Sequence, residues 1–121
     1  MSQQGIVVLT DAMLITCIVQ RGAADKVVDA AMRAGAYGAT IYYARGTGVR
    51  KRHLGVLGIA ISAEKEMIHI VVPSEQADRV FESMHTAAQI DTPGMGILYM
   101  TAVEKMATYV PPEVVAKYIR E

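Results

Sequence analysis

The sequence is sparing with the residues that mark many specialised proteins. It holds one cysteine, Cys17, in 121 residues, so an internal disulfide framework and a cysteine-based metal cluster are both excluded. Cys17 lies in an apolar run between Thr16 and Ile18. That is the setting of an inert buried thiol in a reducing compartment, since a nucleophilic cysteine needs an exposed, electropositive one. An excess of charge of either sign is lacking too. Twelve basic and twelve acidic residues cancel, so no global field draws the chain to nucleic acid or to an anionic membrane, and any anion site must be local. No apolar run reaches the eighteen or so residues of a membrane-spanning helix, and the first residues lack the basic start, apolar core and cleavage site of a secretory leader. The expected compartment is the cytoplasm. His53, His69 and His85 have no metal-ligand spacing, and no Ser/His/Asp or Cys/His set can be placed. Visible catalytic apparatus is therefore lacking.

What is plentiful is apolar surface. With 52% hydrophobic and 20% charged residues, the chain has an ample core for one domain spanning residues 1–121. It also repeats itself. Ala24-Asp25-Lys26-Val27-Val28-Asp29 is answered about 53 residues later by Ala77-Asp78-Arg79-Val80-Phe81-Glu82. Each copy follows an apolar run and leads through a glycine turn to a Tyr-bearing strand, Gly38 to Tyr42 and Gly96 to Tyr99. Two similar halves of this kind imply a split βαβ fold.

The elements follow from periodicity. Residues before Met13 carry no element signal. Met13 to Gln20 alternates apolar residues on both faces and reads as a strand. Ala24, Val27, Val28 and Ala31 recur at helical spacing, so Ala23 to Ala34 is an amphipathic helix ended by Gly35. Ala39 to Arg45 is a strand running into Gly46-Thr47-Gly48, and Met67 to Val72 is the clearest strand. Pro73-Ser74 stops it, with Ser74 as the expected N-cap of a helix buried through Ala77, Val80, Phe81, Met84 and Ala88. Asp91 to Gly96 is a tight loop, Ile97 to Val103 the last strand, and Pro111-Pro112-Glu113 opens a C-terminal helix over residues 111–120. The expected fold class is α+β: a ferredoxin-like βαββαβ arrangement of core residues 13–105, with a variable loop over 46–66 and the C-terminal helix. Helices cover one sheet face. The other also reads as apolar, so it should pack against further subunits of a symmetric assembly.

Two loops offer chemistry. Gly46 to His53 combines open backbone with Arg50, Lys51 and Arg52, the ingredients of an oxyanion site, although a solvated turn has the same composition. The apolar run Leu54, Val56, Leu57, Ile59, Ile61 that follows is unusual for a solvated loop and reads either as an added hairpin or as a docking surface. Pro93-Gly94-Met95-Gly96 would let backbone amides approach a ligand, or serve only as a tight turn. Thr40 offers a hydroxyl at a strand start.

The order of elements, together with Gly38-Ala39-Thr40 leading to Gly46-Thr47-Gly48, Ile68 to Pro73, and Thr86-Ala87-Ala88 leading to Gly94-Met95-Gly96, resembles the P-II signal-transduction family over about residues 13–105. The resemblance implies a homotrimeric, non-enzymatic nitrogen-regulation protein that binds an adenine nucleotide, ADP, AMP or ATP, between subunits. Gly38 and Thr40 would stand beside adenine and ribose, and the Val71 backbone would read the adenine edge. Gly46 and Gly48 would form the base of the T-loop, and Gly94, Met95 and Gly96 would wrap the phosphates. A target protein would be engaged through the T-loop. The family precedent suggests a membrane transporter, to which the cytoplasmic protein would be recruited. The chain departs from the family pattern in three places. Ile97 replaces the phosphate-binding lysine, Thr108, Tyr109 and Val110 stand where paired arginines belong, and the short T-loop has no tyrosine, which argues against uridylylation. Val49-Arg50 occupies the place of the glutamine needed for 2-oxoglutarate, so neither that effector nor magnesium is implied. Arg50, Lys51 or Arg52 could replace the lost cations. The competing readings are a ligand-free structural trimer and a slow nucleotide hydrolase using Glu64, Glu66 or His53 as base.

Overall fold

The computed structural model describes residues 6–45, 64–109 and 111–113. The basic cluster, the apolar run to Ile61 and most of the expected C-terminal helix lie outside these residues.

In chain order the elements are β1 (Ile6–Leu9), β2 (Ala12–Gln20), α1 (Ala24–Arg33), β3 (Thr40–Arg45), β4 (Glu64–Pro73), α2 (Ser74–Ala88), β5 (Gly96–Val103) and β6 (Met106–Tyr109). The main sheet has the order β3-β4-β2-β5, every neighbouring pair antiparallel. This is the split βαβ arrangement that the internal repeat implies, with the long β2 at its centre. Alternation along the strands divides their side chains between two faces. Ile15, Cys17 and Val19 of β2 and Ile68, Ile70 and Val72 of β4 are buried against Val27 and Ala31 of α1 and Val80 and Met84 of α2. Burial pushes the Cys17 thiol up to about 11, so it stays protonated and unreactive at neutral pH.

The structure corrects the sequence-based reading in three places. Residues before Met13 are not featureless, since Ile6–Leu9 pairs antiparallel with Met106–Tyr109 as a separate ribbon. The partners lie about a hundred residues apart, from Ile6 to Tyr109, so local periodicity carried no sign of the pairing. Ser74 is not the N-cap. Pro73 takes that position in extended conformation, and the Ser74 hydroxyl instead donates to Asp11 Oδ1 at 2.7 Å. Strand β4 begins at Glu64 rather than Met67, because pairing with β3 continues to Arg45 opposite Glu64. This shortens the variable loop by three residues at its C-terminal end.

Candidate functional site

The uncovered face of the sheet carries Leu14, Thr16 and Ile18 of β2, Thr40 and Tyr42 of β3, Met67, His69 and Val71 of β4, and Ile97 and Tyr99 of β5. Strand register aligns Thr40, His69, Thr16 and Tyr99 in one row across it. The ring of His69 lies between two hydroxyls, Nδ1 at 3.2 Å from Thr16 Oγ1 and Nε2 at 2.9 Å from Tyr42 Oη. Tyr42 also stacks on the imidazole, the ring planes 11° apart. A polar triad thus sits within an apolar, solvent-facing surface on which Val71, Ile97 and Tyr99 are each about half exposed.

Gly38, Thr40 and Val71 gather at one edge of this face. Gly38 and Thr40 are exposed where the chain enters β3, and Val71 lies two residues beyond His69, the register partner of Thr40. Gly94, Met95 and Gly96 lie elsewhere, where the chain enters β5 at the opposite edge. Three strand spacings of about 4.8 Å separate the edges, about 14 Å in all. One chain therefore does not bring the two groups together. Gly46, Gly48, Arg50, Lys51 and Arg52 lie outside the described residues.

The Gly94 loop is well held. Gln20 Nε2 donates to the Gly94 carbonyl at 2.9 Å, and backbone N–H groups of Thr92 and Met95 bond to Gln89 and Thr92 carbonyls. Gly96 has no alternative, because a Cβ there would lie 2.4 Å from the Ile18 carbonyl oxygen at a φ of +157°. The loop is thus pressed against the end of β2.

At the same end of the sheet, the stem of the 46–63 segment forms a cleft of about 320 Å³ lined by Arg21, Tyr43, Ala44, Arg45, Glu64 and Lys65. Arg21 pairs with Glu64 at 2.7 Å and lies over the Tyr43 ring. The hydrogen bond to Glu64, and then its charge, hold the Arg21 guanidinium further above its ordinary value. Beside this pair Glu66 is buried, its Oε1 accepting the N–H groups of Gly22 and Ala24 at 3.0 and 2.8 Å. Helix α1 has no side-chain cap of its own, so a carboxylate from a distant strand caps it instead. Sequence reasoning overlooked Gln20 and Arg21, considered Glu66 only as a hydrolytic base and not as a helix cap, and missed the structural place of His69. Only their polarity within apolar or strand-like stretches marked them, and their partners become visible through strand register alone. Among the described residues no group of His, Cys, Asp or Glu is arranged to hold a metal ion, and no helix is long and apolar enough to cross a membrane.

Residues 12–111 match the family model of the nitrogen regulatory protein P-II. The chain belongs to the P-II nitrogen regulatory protein family. That match spans the whole ferredoxin-like core and the ribbon strand β6 that follows it. The fold agrees as well. The crystal structure of Arabidopsis thaliana PII bound to citrate superposes with a TM-score of 0.61 and 21% sequence identity, covering 78% of this chain and 79% of that one. Among curated protein sequences there is no significant match. Membership makes this a regulatory protein by family and places its uncovered sheet face and the stem of its 46–63 segment within a P-II framework.

Proposed function

We propose that this P-II protein is a homotrimeric, non-enzymatic sensor in which an adenine nucleotide lies between neighbouring subunits. One observation carries the reading. The groups matching the two halves of a P-II nucleotide site stand at opposite edges of one open sheet, Thr40 and Val71 at β3/β4 and Gly94 to Gly96 at β5. They form one site only when the β3 edge of one subunit meets the β5 edge of the next. The same packing would cover Val71, Ile97 and Tyr99, which are exposed in the single chain.

In this arrangement Gly38 and Thr40 flank base and ribose, the Val71 backbone reads the adenine edge, and Gly94, Met95 and Gly96 surround the phosphates. Arg50, Lys51 and Arg52 supply the charge that Ile97 does not. Each charge-assisted bond to phosphate is worth about 1.5–3 kcal/mol, so a nucleotide with fewer phosphates, ADP or AMP, suits the site better than ATP. The nucleotide biases the 46–63 segment, which engages or releases a target protein, a membrane transporter by family precedent. Both carboxylates considered as hydrolytic bases are already engaged, Glu64 with Arg21 and Glu66 as the cap of α1, which favours a regulator over a hydrolase.

A specific observation favours a second reading. Ile97, directly after the glycine loop, is 52% exposed and apolar where the phosphates would need a cation. A ligand-free structural trimer accounts for this. Calorimetry and thermal shift with AMP, ADP and ATP, with and without magnesium and 2-oxoglutarate, separate the two. A nucleotide at about 100 times its Kd stabilises by about 2.7 kcal/mol, whereas a flat panel selects the structural trimer. Light scattering gives the subunit number independently, and a monomer at micromolar concentration overturns both.

A further inference from the structure

The turn Gln20–Ala24 touches both features on which the proposed regulation depends, and nothing in the sequence singles it out. Strand β2 is the only strand of the main sheet paired on both sides by strands that begin at these features: Val19 lies opposite Glu66 of β4 and opposite Gly96 of β5. The chain then leaves the sheet in a turn closed by Ala23 N–H to the Gln20 carbonyl at 3.1 Å, with Gly22 at φ +94°. From this short turn the Gln20 side chain donates to the Gly94 carbonyl at 2.9 Å. Arg21 pairs with Glu64 at 2.7 Å, and the N–H groups of Gly22 and Ala24 both donate to Glu66. Among the described residues, the side-chain bond on one side reaches the glycine loop, and those on the other reach the first residues of β4, the stem of the 46–63 segment.

We propose that the Gln20–Ala24 turn is a mechanical coupler in which Gln20 and Glu66 act as positioning residues, so that the state of the Gly94 loop is transmitted to the β4 stem within one subunit. The physical basis is the stiffness of the connection. The turn cannot follow a shift of the Gly94 carbonyl without moving the backbone N–H groups that Glu66 holds, because the Ala23–Gln20 bond and the start of α1 fix its internal geometry. A displaced Glu66 would leave the buried Ala24 N–H unsatisfied, so the stem moves with the turn. The functional consequence rests on the nucleotide reading above, whereas the coupling itself does not.

Hydrogen exchange followed by mass spectrometry on the full chain tests it in two arms. Without ligand, Gln20→Met keeps the side-chain length and removes the donor. Exchange should speed up by about fivefold or more in residues 92–96 and also in residues 64–67, which Gln20 does not touch through its side chain. Glu66→Gln keeps an acceptor and should reciprocally speed up exchange in residues 92–96. Effects confined to residues 92–96 in the first variant and to residues 22–24 and 64–67 in the second overturn the coupler. In the second arm, saturating ADP or ATP should slow exchange in residues 92–96 and 64–67 of the wild type, and in Gln20→Met only in residues 92–96. An undiminished response at 64–67 in that variant also overturns the coupler. If neither nucleotide protects residues 92–96 of the wild type, the nucleotide reading fails, and the ligand-free arm still decides the coupling.

Discussion

Glu66 offers the most demanding test of how this fold is held together. The residue is 8% exposed, and its carboxylate accepts two backbone N–H groups, of Gly22 at 3.0 Å and of Ala24 at 2.8 Å. Replacing it with alanine affects the two donors unequally. Gly22 is exposed, so water satisfies its N–H at little cost. Ala24 is 2% exposed, and its N–H, the first of α1, is left unsatisfied. A lost bond to a charged acceptor costs about 1.5–3 kcal/mol, and loss of the negative charge at the positive helix end adds about 0.3–1 kcal/mol. Glu66→Ala should therefore destabilise by about 3 kcal/mol, which for a chain of this length lowers Tm by about 12 °C. Glu66→Gln keeps a carbonyl acceptor and gives up the charge, so about 1 kcal/mol is expected. Urea unfolding at matched protomer concentration measures both, since linked assembly would otherwise distort the comparison. If both variants fall within about 0.5 kcal/mol of the wild type, the cap does not stabilise the helix and the reasoning fails.

Other substitutions test other terms. Gly96→Ala places a methyl group 2.4 Å from the Ile18 carbonyl oxygen, which should cost at least about 2 kcal/mol by equilibrium unfolding and weaken any ligand bound at the loop. Gln89 ends α2 in the left-handed region at φ +55°, so Gln89→Gly should raise stability by about 1 kcal/mol in the same assay. Cys17 gives a pH dependence. Its folded value is raised to about 11 from 9.0, so its contribution is fully present below pH 9 and is lost as pH rises from 9 to 11, at up to about 1.4 kcal/mol per unit. Cys17→Ala should remove that alkaline component, and an unchanged alkaline slope would contradict it. Neutral replacement of Arg50, Lys51 and Arg52 together should weaken ADP binding by at least tenfold, or about 1.4 kcal/mol, in calorimetry; unchanged affinity would remove them from the site.

The sequence by itself determined the order of the main elements, the helical faces and the family. Apolar spacing is a local property, and it sets strands and helices wherever one face must be buried. The duplicated pattern around Ala24 and Ala77 was enough to imply the split βαβ sheet, and the glycines at 35, 94 and 96 marked chain reversals that few other residues accommodate. What the sequence left open depends on contacts between distant residues. The ribbon joining Ile6–Leu9 to Met106–Tyr109, the bond from Gln20 to Gly94, the cap that Glu66 places on α1 and the His69 triad with Thr16 and Tyr42 all arise from strand register. Register is fixed by the packing of the whole sheet, so neither partner's local sequence announces the other. The candidate site divides in the same way. Gly38, Thr40, Val71 and the Gly94 loop were legible as motifs, and the family resemblance already implied a site between subunits, but only the tertiary structure placed the two groups at opposite edges of one sheet, because strand order depends on the packing of the whole chain.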